Sequence, residues 1–249
     1  MANSVPRFHC AHLPHPRLAQ TPCVLDADES HHARKVLRLK PGTAIELFDG
    51  QGGLAQAKLA AYEGRSAVCQ VVSLERHDPP RPRVTVAAAI PKGGRAEPMV
   101  NQLSQAGADV FVPMVSEHSV VDPREGKLER FGRHAIESAK QCGRLHVMAV
   151  EPTRGFDALL AESADVRLLA APGGGSAAGL GERVARAGRV LVLIGPEGGF
   201  SEAEQAAAAE AGFQQWAIGP YTMRIETAAV AAAALLRYLA TSTRSSQGE

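Results

Sequence analysis

Cysteine is scarce and scattered in this chain: four residues in 249, with no C-x-x-C pair. That spacing offers neither a structural zinc ligand set nor a disulfide framework. Cys10, Cys23, Cys69 and Cys142 are therefore expected as free thiols in a reducing cytosol. Long apolar runs are also missing, since no uninterrupted stretch approaches the ~20 residues that cross a bilayer. The first residues, MANSVPRFHCAHLPHPRL, lack the basic-then-apolar order of a secretory signal. A soluble, cytoplasmic protein without a membrane partner is expected. No excess of one charge is present either, because 27 Lys and Arg stand against 26 Asp and Glu. Bulk charge thus points to neither a nucleic acid nor an acidic partner, while leaving room for a local basic surface. Adjacent His31 and His32 face different sides of a helix, and with no other ligand cluster no metal is expected.

What is present divides the chain in two. Residues up to about Glu75 read mostly as short strands. SHHARKVLRLK is an exception, a short helix with Ser30 as its cap, Val36, Leu37 and Leu39 as its apolar side, and Pro41-Gly42 as its end. Three β-like runs follow. Asp49-Gly50 and Gly52-Gly53 give a hairpin signal between the first two, and Glu63-Gly64 separates the second from the third. Closely spaced strands of this kind suit a small barrel of the type that often binds RNA. The proline-rich RHDPPRPR then acts as a linker. The boundary falls near Pro80, giving domains over residues 1–78 and 79–249. Beyond it strand and helix patterns alternate, from VTVAAAI and AEPMVNQLSQAG to QQWAIG and the Ala-rich ETAAVAAAALLRYLATS. A surface loop is expected at GGGS, residues 173–176. Such alternation implies an α/β domain with a mostly parallel sheet covered by helices on both faces. Ligands bind such sheets outside the carboxyl ends of the strands, and Gly195 and Gly219 both stand at such ends.

Two glycine-containing motifs occupy those ends. In IGPEGGFSEAE, Ser201 and Glu204 fit a capping box, so a helix start is specified. No Gly-Lys-Ser/Thr follows and the spacing is not G-x-G-x-x-G, which excludes a Walker loop and the dinucleotide fingerprint. A tight strand-to-helix turn and a ligand loop both remain open. In AIGPYTMRIETAAVAAAALL, Glu226 suits a first helical turn, whereas Met223 and Ile225 suit packing. Arg224, a lone cation between apolar residues, needs a partner, which Glu226, Glu197 or a substrate would supply. ESAKQCGRLH places Lys140, Gln141 and Arg144 at a helix C-terminus, where cations are favourable in any protein. VSEHSVV places Ser116, Glu117, His118 and Ser119 just beyond a strand, as a site loop or an ordinary surface loop.

Taken in order, HHARKVLRLKPGTAIELFDGQGG, KQCGR, LIGPEGGFSEAE and IGPYTMRIETA resemble the 16S rRNA (uracil-N3) methyltransferases of the RsmE family, SPOUT class. The resemblance runs over nearly the whole chain. It implies an N-terminal PUA-like β-barrel and a C-terminal SPOUT domain with a deep trefoil knot. It also implies a homodimer, S-adenosylmethionine bound in the knot, and methylation of N3 of one uridine in the small ribosomal subunit. By position, one cofactor loop holds Leu193, Ile194, Gly195, Glu197, Gly198 and Gly199. The other holds Ile218, Gly219, Met223, Ile225, Thr227 and Ala228. Here Gly195, Gly198 and Gly219 give clearance for the ligand, and backbone groups near Ile218, Met223 and Ile225 read the adenine edge. Arg224 is the expected stabiliser of the uridine anion, oriented by Glu197 or Glu226, with Arg144 as second choice. Arg7, His31, His32, Arg34, Lys35 and Arg38 are the expected RNA grip. The sequence departs from the family pattern at Tyr221, Gln102, Gln105 and His118, where charged residues are usual, and at Ile225, where threonine is usual. Those losses of charge keep a second reading in play, an RNA-binding assembly factor that retains the pocket without turnover. A Rossmann dehydrogenase is disfavoured by the missing fingerprint.

Overall fold

The computed structural model describes residues 5–13, 22–121, 125–175 and 179–245. Much of the amino-terminal segment (1–4 and 14–21) and Ser176 of the expected glycine loop lie outside the described residues. The chain divides into two compact units, Met1–Pro79 with Ala139–Val147, and Pro80–Ser138 with Met148–Glu249.

The first unit is built on β1 (Arg7–His9), β2 (Pro22–Val24), β3 (Ala44–Phe48), β4 (Gly53–Glu63) and β5 (Ser66–Arg76). They form one sheet in the order β1-β3-β4-β5-β2. All pairs are antiparallel except β1 with β3. Alternation in β4 buries Ala55, Ala57 and Leu59 and exposes the residues between, so one face joins a core with Phe8, Ile45, Leu47 and Val71. The β3–β4 turn is fixed by Asp49, whose Oδ1 accepts from the backbone N–H groups of Gln51 and Gly53, each at 2.8 Å. Gly52 in that turn has φ +94°, and a Cβ there would lie 2.2 Å from the His77 carbonyl oxygen. The 139–147 segment joins this unit because the Gly52 N–H donates to the Leu145 carbonyl and the Val147 N–H to that of Gly50, both at 3.0 Å. All four cysteines are free, with Cys10, Cys23 and Cys69 buried and Cys142 exposed. Burial pushes the Cys69 thiol up to about 12.

The expected cap at Ser30 is corrected. Helix α1 begins earlier, at Ala27–His31, and Asp26 caps it by accepting from the Glu29 N–H at 2.8 Å. Ser30 is instead fully buried; its Oγ donates to the Leu25 carbonyl at 3.0 Å and accepts from the Ala67 N–H at 2.9 Å. The chain continues as a π-helical turn over His32–Val36. Its wider winding turns Ala33 inward and leaves Val36 and Leu37 exposed, not facing the core as their spacing predicts.

The second unit holds β6 (Arg83–Ala89), α2 (Ala96–Ala106), β7 (Val110–Val115), α3 (Glu125–Cys142) as far as Ser138, β8 (Ala149–Val150), β9 (Arg154–Gly155) and α4 (Phe156–Leu160). It continues with β10 (Val166–Gly175), α5 (Leu180–Arg186), β11 (Arg189–Ile194), α6 (Glu202–Glu210), β12 (Gln214–Trp216) and α7 (Ile225–Ser245). The strands run in the order β12-β10-β11-β6-β7-β8, with β9 also on β7, and every pair is parallel. Strand β6 is a near-continuous buried run, as a parallel strand covered on both faces requires. One face packs Phe156 and Leu159 of α4, Ala208 of α6 and Phe213 against Leu169, Leu191 and Val112. Across the other lies α7, which packs on β6, α2 and α5 through small buried residues such as Ala229, Ala232 and Ala233. Gly107 closes α2 in the left-handed region at φ +95°. Arg237 of α7 donates to the Gly107 and Pro82 carbonyls at 2.7 and 2.8 Å and pairs with Asp109.

The expected surface loop at 173–176 is also corrected: β10 runs on through Gly175, and Trp216 of β12 pairs first with Ala170 and again with Gly175. The glycines serve close approach here, since a Cβ on Gly174 would sit 2.8 Å from the Trp216 backbone nitrogen. Among the described residues, no helix is long and apolar enough to cross a membrane.

Candidate functional site

In-register pairing sets Ala170, midway along β10, beside Ile194 and Trp216, the last residues of β11 and β12. Directly beyond them lies a cavity of about 430 Å³. Strands and the loops that follow line it: Ala170, Ala171 and Pro172 from β10, residues 194–197 with Gly199 and Phe200 after β11, and Trp216 with Ala217 after β12. Ile218, Gly219, Tyr221, Thr222, Met223 and Arg224 continue the lining to Ile225 and Ala228 of α7, and Gln205 of α6 completes it.

The loop after β11 is held from several sides. The Ser201 N–H donates to Glu204 Oε2 at 2.9 Å and the Glu204 N–H donates to Ser201 Oγ at 3.2 Å, the expected capping box. Glu204 does more than cap, because its Oε1 accepts from the Glu117 N–H at 2.9 Å and so ties in the loop after β7. His118 Nδ1 lies 3.1 Å from the Gly199 carbonyl oxygen, a hydrogen bond that the Nδ1–H tautomer donates. The reading of the glycines as clearance for a ligand changes at all three positions, and a Cβ on Gly219 would lie 2.9 Å from Met223 Cε. A Cβ on Gly195 would lie 3.0 Å from the Phe200 ring, and one on Gly198 would lie 3.1 Å from His118 Cβ. Protein side chains take that space.

The loop after β12 is different in kind. Tyr221 is 83% exposed, and Thr222 and Arg224 are also exposed. Arg224 makes no ion pair among the described residues, and neither Glu197 nor Glu226 orients it. Both carboxylates turn to Arg95, whose Nη1 lies 3.2 Å from Glu226 Oε1 and whose Nη2 lies 3.6 Å from Glu197 Oε1. Arg95 comes from the loop after β6, the neighbour of β11, and so reaches both. The other Glu226 oxygen, Oε2, is buried without a hydrogen-bond partner among the described residues.

Of the expected cofactor residues, the cavity brings together Ile194, Gly195, Glu197, Gly199, Ile218, Gly219, Met223, Ile225 and Ala228. Leu193 is buried within β11, and Gly198 and Thr227 stand outside the lining. Arg144 belongs to the first unit, where its Nε donates to the His146 carbonyl at 2.7 Å. There too Lys140 pairs with Glu29 at 2.7 Å, both nearly buried. Within the expected RNA set, Arg7 pairs with Glu46 at 2.6 Å. Burial would raise the Glu46 carboxyl, but hydrogen bonds from Arg7 and Gln56 outweigh it and hold the group low. His32 sets its ring edge-on to Phe8 at 6.1 Å, and Arg34 donates to the Gly64 carbonyl at 2.7 Å and lies 4.3 Å over the Tyr62 ring. His31, Lys35 and Arg38 are exposed. On α2, Gln102 and Gln105 are also exposed, and Gln105 Nε2 donates to Asn101 Oδ1 at 2.6 Å.

Sequence reasoning missed Arg95 and the Ala170–Pro172 stretch of β10. Both were within reach of the rule that picked out Gly195, since Lys92-Gly93-Gly94-Arg95 and Ala170-Ala171-Pro172 also follow apolar runs.

Comparison with known proteins sets the class first. A model described as an RNA methyltransferase domain matches residues 78–237, and one described as an RNA methyltransferase PUA domain matches residues 25–72. The Mycobacterium bovis ribosomal RNA small subunit methyltransferase E is 32% identical over 84% of this chain and 83% of its own length. Its Bacillus subtilis counterpart is 27% identical over 86% and 89%. The crystal structure of ribosomal RNA small subunit methyltransferase E from Neisseria gonorrhoeae bound to S-adenosyl methionine superposes with a TM-score of 0.85. It is 28% identical, and the match covers 95% of this chain and 98% of that one. The chain belongs to the ribosomal RNA small subunit methyltransferase E family of RNA methyltransferases.

Proposed function

We propose that this protein transfers a methyl group from S-adenosylmethionine to N3 of a uridine in the RNA of the small ribosomal subunit, as a cytoplasmic homodimer whose SPOUT domain is knotted. The cavity suits the cofactor. Its volume of about 430 Å³ lies within the range of small-molecule sites, and Ile194, Trp216, Ile218 and Ile225 offer apolar cover for a flat base. The Glu197 carboxylate on its wall offers a negative group to a cationic ligand. Backbone groups at Ile218, Met223 and Ile225 would hold the adenine edge, while Gly199 and Ala228 keep the walls low enough for close approach. When bound, the group supplies an electrophilic methyl on a sulfonium.

The chain's own residues must then make a poor nucleophile competent. N3 of uridine carries a proton, and its loss leaves negative charge over O2 and O4. A guanidinium placed at those oxygens stabilises the anion. The observation that carries this reading is Arg224: a cation on the cavity lining, exposed, with no ion pair among the described residues. Its partner is the substrate. Positioning of base and donor supplies several kcal/mol more of the barrier lowering. Arg144 is assigned to RNA phosphate. In the first unit, His31, Lys35 and Arg38 form the open part of the RNA grip, with Arg34 and His32 behind them and Arg7 supporting through Glu46.

Incubation with isotopically labelled S-adenosylmethionine and small subunits lacking the modification tests the reading. Label is expected in the rRNA. Cofactor binding by calorimetry without transfer to any RNA would instead mark a non-catalytic assembly factor.

A further inference from the structure

Arg95 does not line the cavity, yet it holds together two parts of the chain that do. We infer that Arg95 is a positioning residue for the methyl donor, fixing the two sides of the cavity in one ion-paired cluster. This rests on the reading of the cavity as the S-adenosylmethionine site.

Three nitrogens of one guanidinium are in use. Nε donates to the Lys92 carbonyl oxygen at 3.1 Å, which orients the planar group against its own loop. Nη1 then meets Glu226 Oε1 at 3.2 Å and Nη2 meets Glu197 Oε1 at 3.6 Å. Glu197 is on the loop after β11. Glu226 stands in the first turn of α7, directly after the loop that follows β12. The fork thus spans from one cavity wall to the other, and it starts from a third strand end, that of β6. A planar guanidinium serves two carboxylates at once with its own backbone tether, whereas the compact ammonium of lysine serves one well.

Charge gives the arrangement its second function. Without Arg95, two carboxylates would face each other with no cation between them, and one Glu226 oxygen is already buried without a partner among the described residues. Like charges so placed push apart or take up a proton. Either response shifts Glu197, which lines the cavity, and the start of α7, which carries Ile225 and Ala228 in its lining. The bland reading is a surface ion pair, and the Arg95 side chain is 37% exposed. An ion pair this exposed adds little to global stability. A purely structural role therefore predicts small effects everywhere, and a positioning role predicts a selective loss of donor binding.

The test compares the full-length protein with Arg95→Gln and Arg95→Lys by calorimetry with S-adenosylmethionine, by steady-state KM for the donor, and by thermal melting without ligand. We expect Arg95→Gln to raise Kd and KM about tenfold or more with a melting temperature within a few degrees of wild type. Arg95→Lys should recover part of that affinity. In a double-mutant cycle, Glu226→Gln should cost less in the Arg95→Gln background than alone. Wild-type Kd and KM in Arg95→Gln overturn the inference, and so does a large fall in melting temperature with an unchanged KM. If the wild-type protein itself binds no S-adenosylmethionine, the reading of the cavity fails before the role of Arg95 is reached.

Discussion

The two glycine-containing walls of the cavity solve different problems. The wall after β11 is braced: a capping box closes its far end, Glu204 ties it to Glu117, His118 holds the Gly199 carbonyl, and Phe200 fills the space beside Gly195. The wall after β12 is open, with Tyr221, Thr222 and Arg224 exposed and the arginine free of any ion pair among the described residues. A braced wall can hold one ligand in a fixed pose at low entropic cost, because its backbone is already ordered. An open wall carrying an unpaired cation is suited to the second reactant. On the proposed function, the braced wall holds the donor together with backbone groups of the second wall, and the open stretch around Arg224 takes the chemistry on the acceptor.

That division of labour can be broken by mutation, and the largest effect belongs to the open wall. Arg224→Ala should lower kcat by about 10²–10³, the scale of losing one preorganised charge contact in a transition state. Donor affinity by calorimetry should change less than about threefold, so a variant that loses binding and turnover together would erase the distinction. Next comes Gly195→Ala on the braced wall. Its new methyl meets the Phe200 ring, for which a destabilisation of about 1–3 kcal/mol is expected from overpacking. Chemical denaturation should show that loss together with a roughly tenfold weaker Kd for S-adenosylmethionine. Ser201→Ala sharpens the contrast further. Loss of the cap should cost about 1 kcal/mol, read as a melting temperature lower by roughly 2–4 °C, with kcat at saturation preserved. The smallest effect is expected at Tyr221→Ala. A side chain this open should leave stability within about 0.5 kcal/mol, and a large fall in melting temperature would show the second wall to be packed after all.

How far each wall could be read from sequence follows from the range of its contacts. The capping box spans three residues, so Ser201 and Glu204 announced it. Alternation of strand and helix, and Gly107 closing α2, were legible for the same reason. Asp26 and Ser30 are both good caps, and only the burial of Ser30 against Ala67 decides between them. Gly173 and Gly174 read as flexibility, although glycine equally permits the close approach that β12 makes to Gly174. The Arg95–Glu226 contact joins residues 131 apart, and nothing local says which carboxylates a guanidinium will meet. Arg224 was singled out as a cation in need of a partner; Glu197 and Glu226, two of the three candidates, turn to Arg95 instead, which leaves the substrate. The attachment of 139–147 to the first unit was hidden because the helical pattern of α3 runs through the boundary without a break in composition.

One chemical outcome is decisive for the proposed function, the atom that receives the methyl group. Small subunits lacking the modification, incubated with the protein and S-adenosylmethionine, should yield on nuclease digestion and mass spectrometry a single methylated nucleoside that co-elutes with N3-methyluridine. Arg224→Ala should form it about 10²–10³-fold more slowly under the same conditions. Methyl groups on a ribose oxygen, on carbon 5 or on another base would contradict the assignment of Arg224 to an anion developing over O2 and O4.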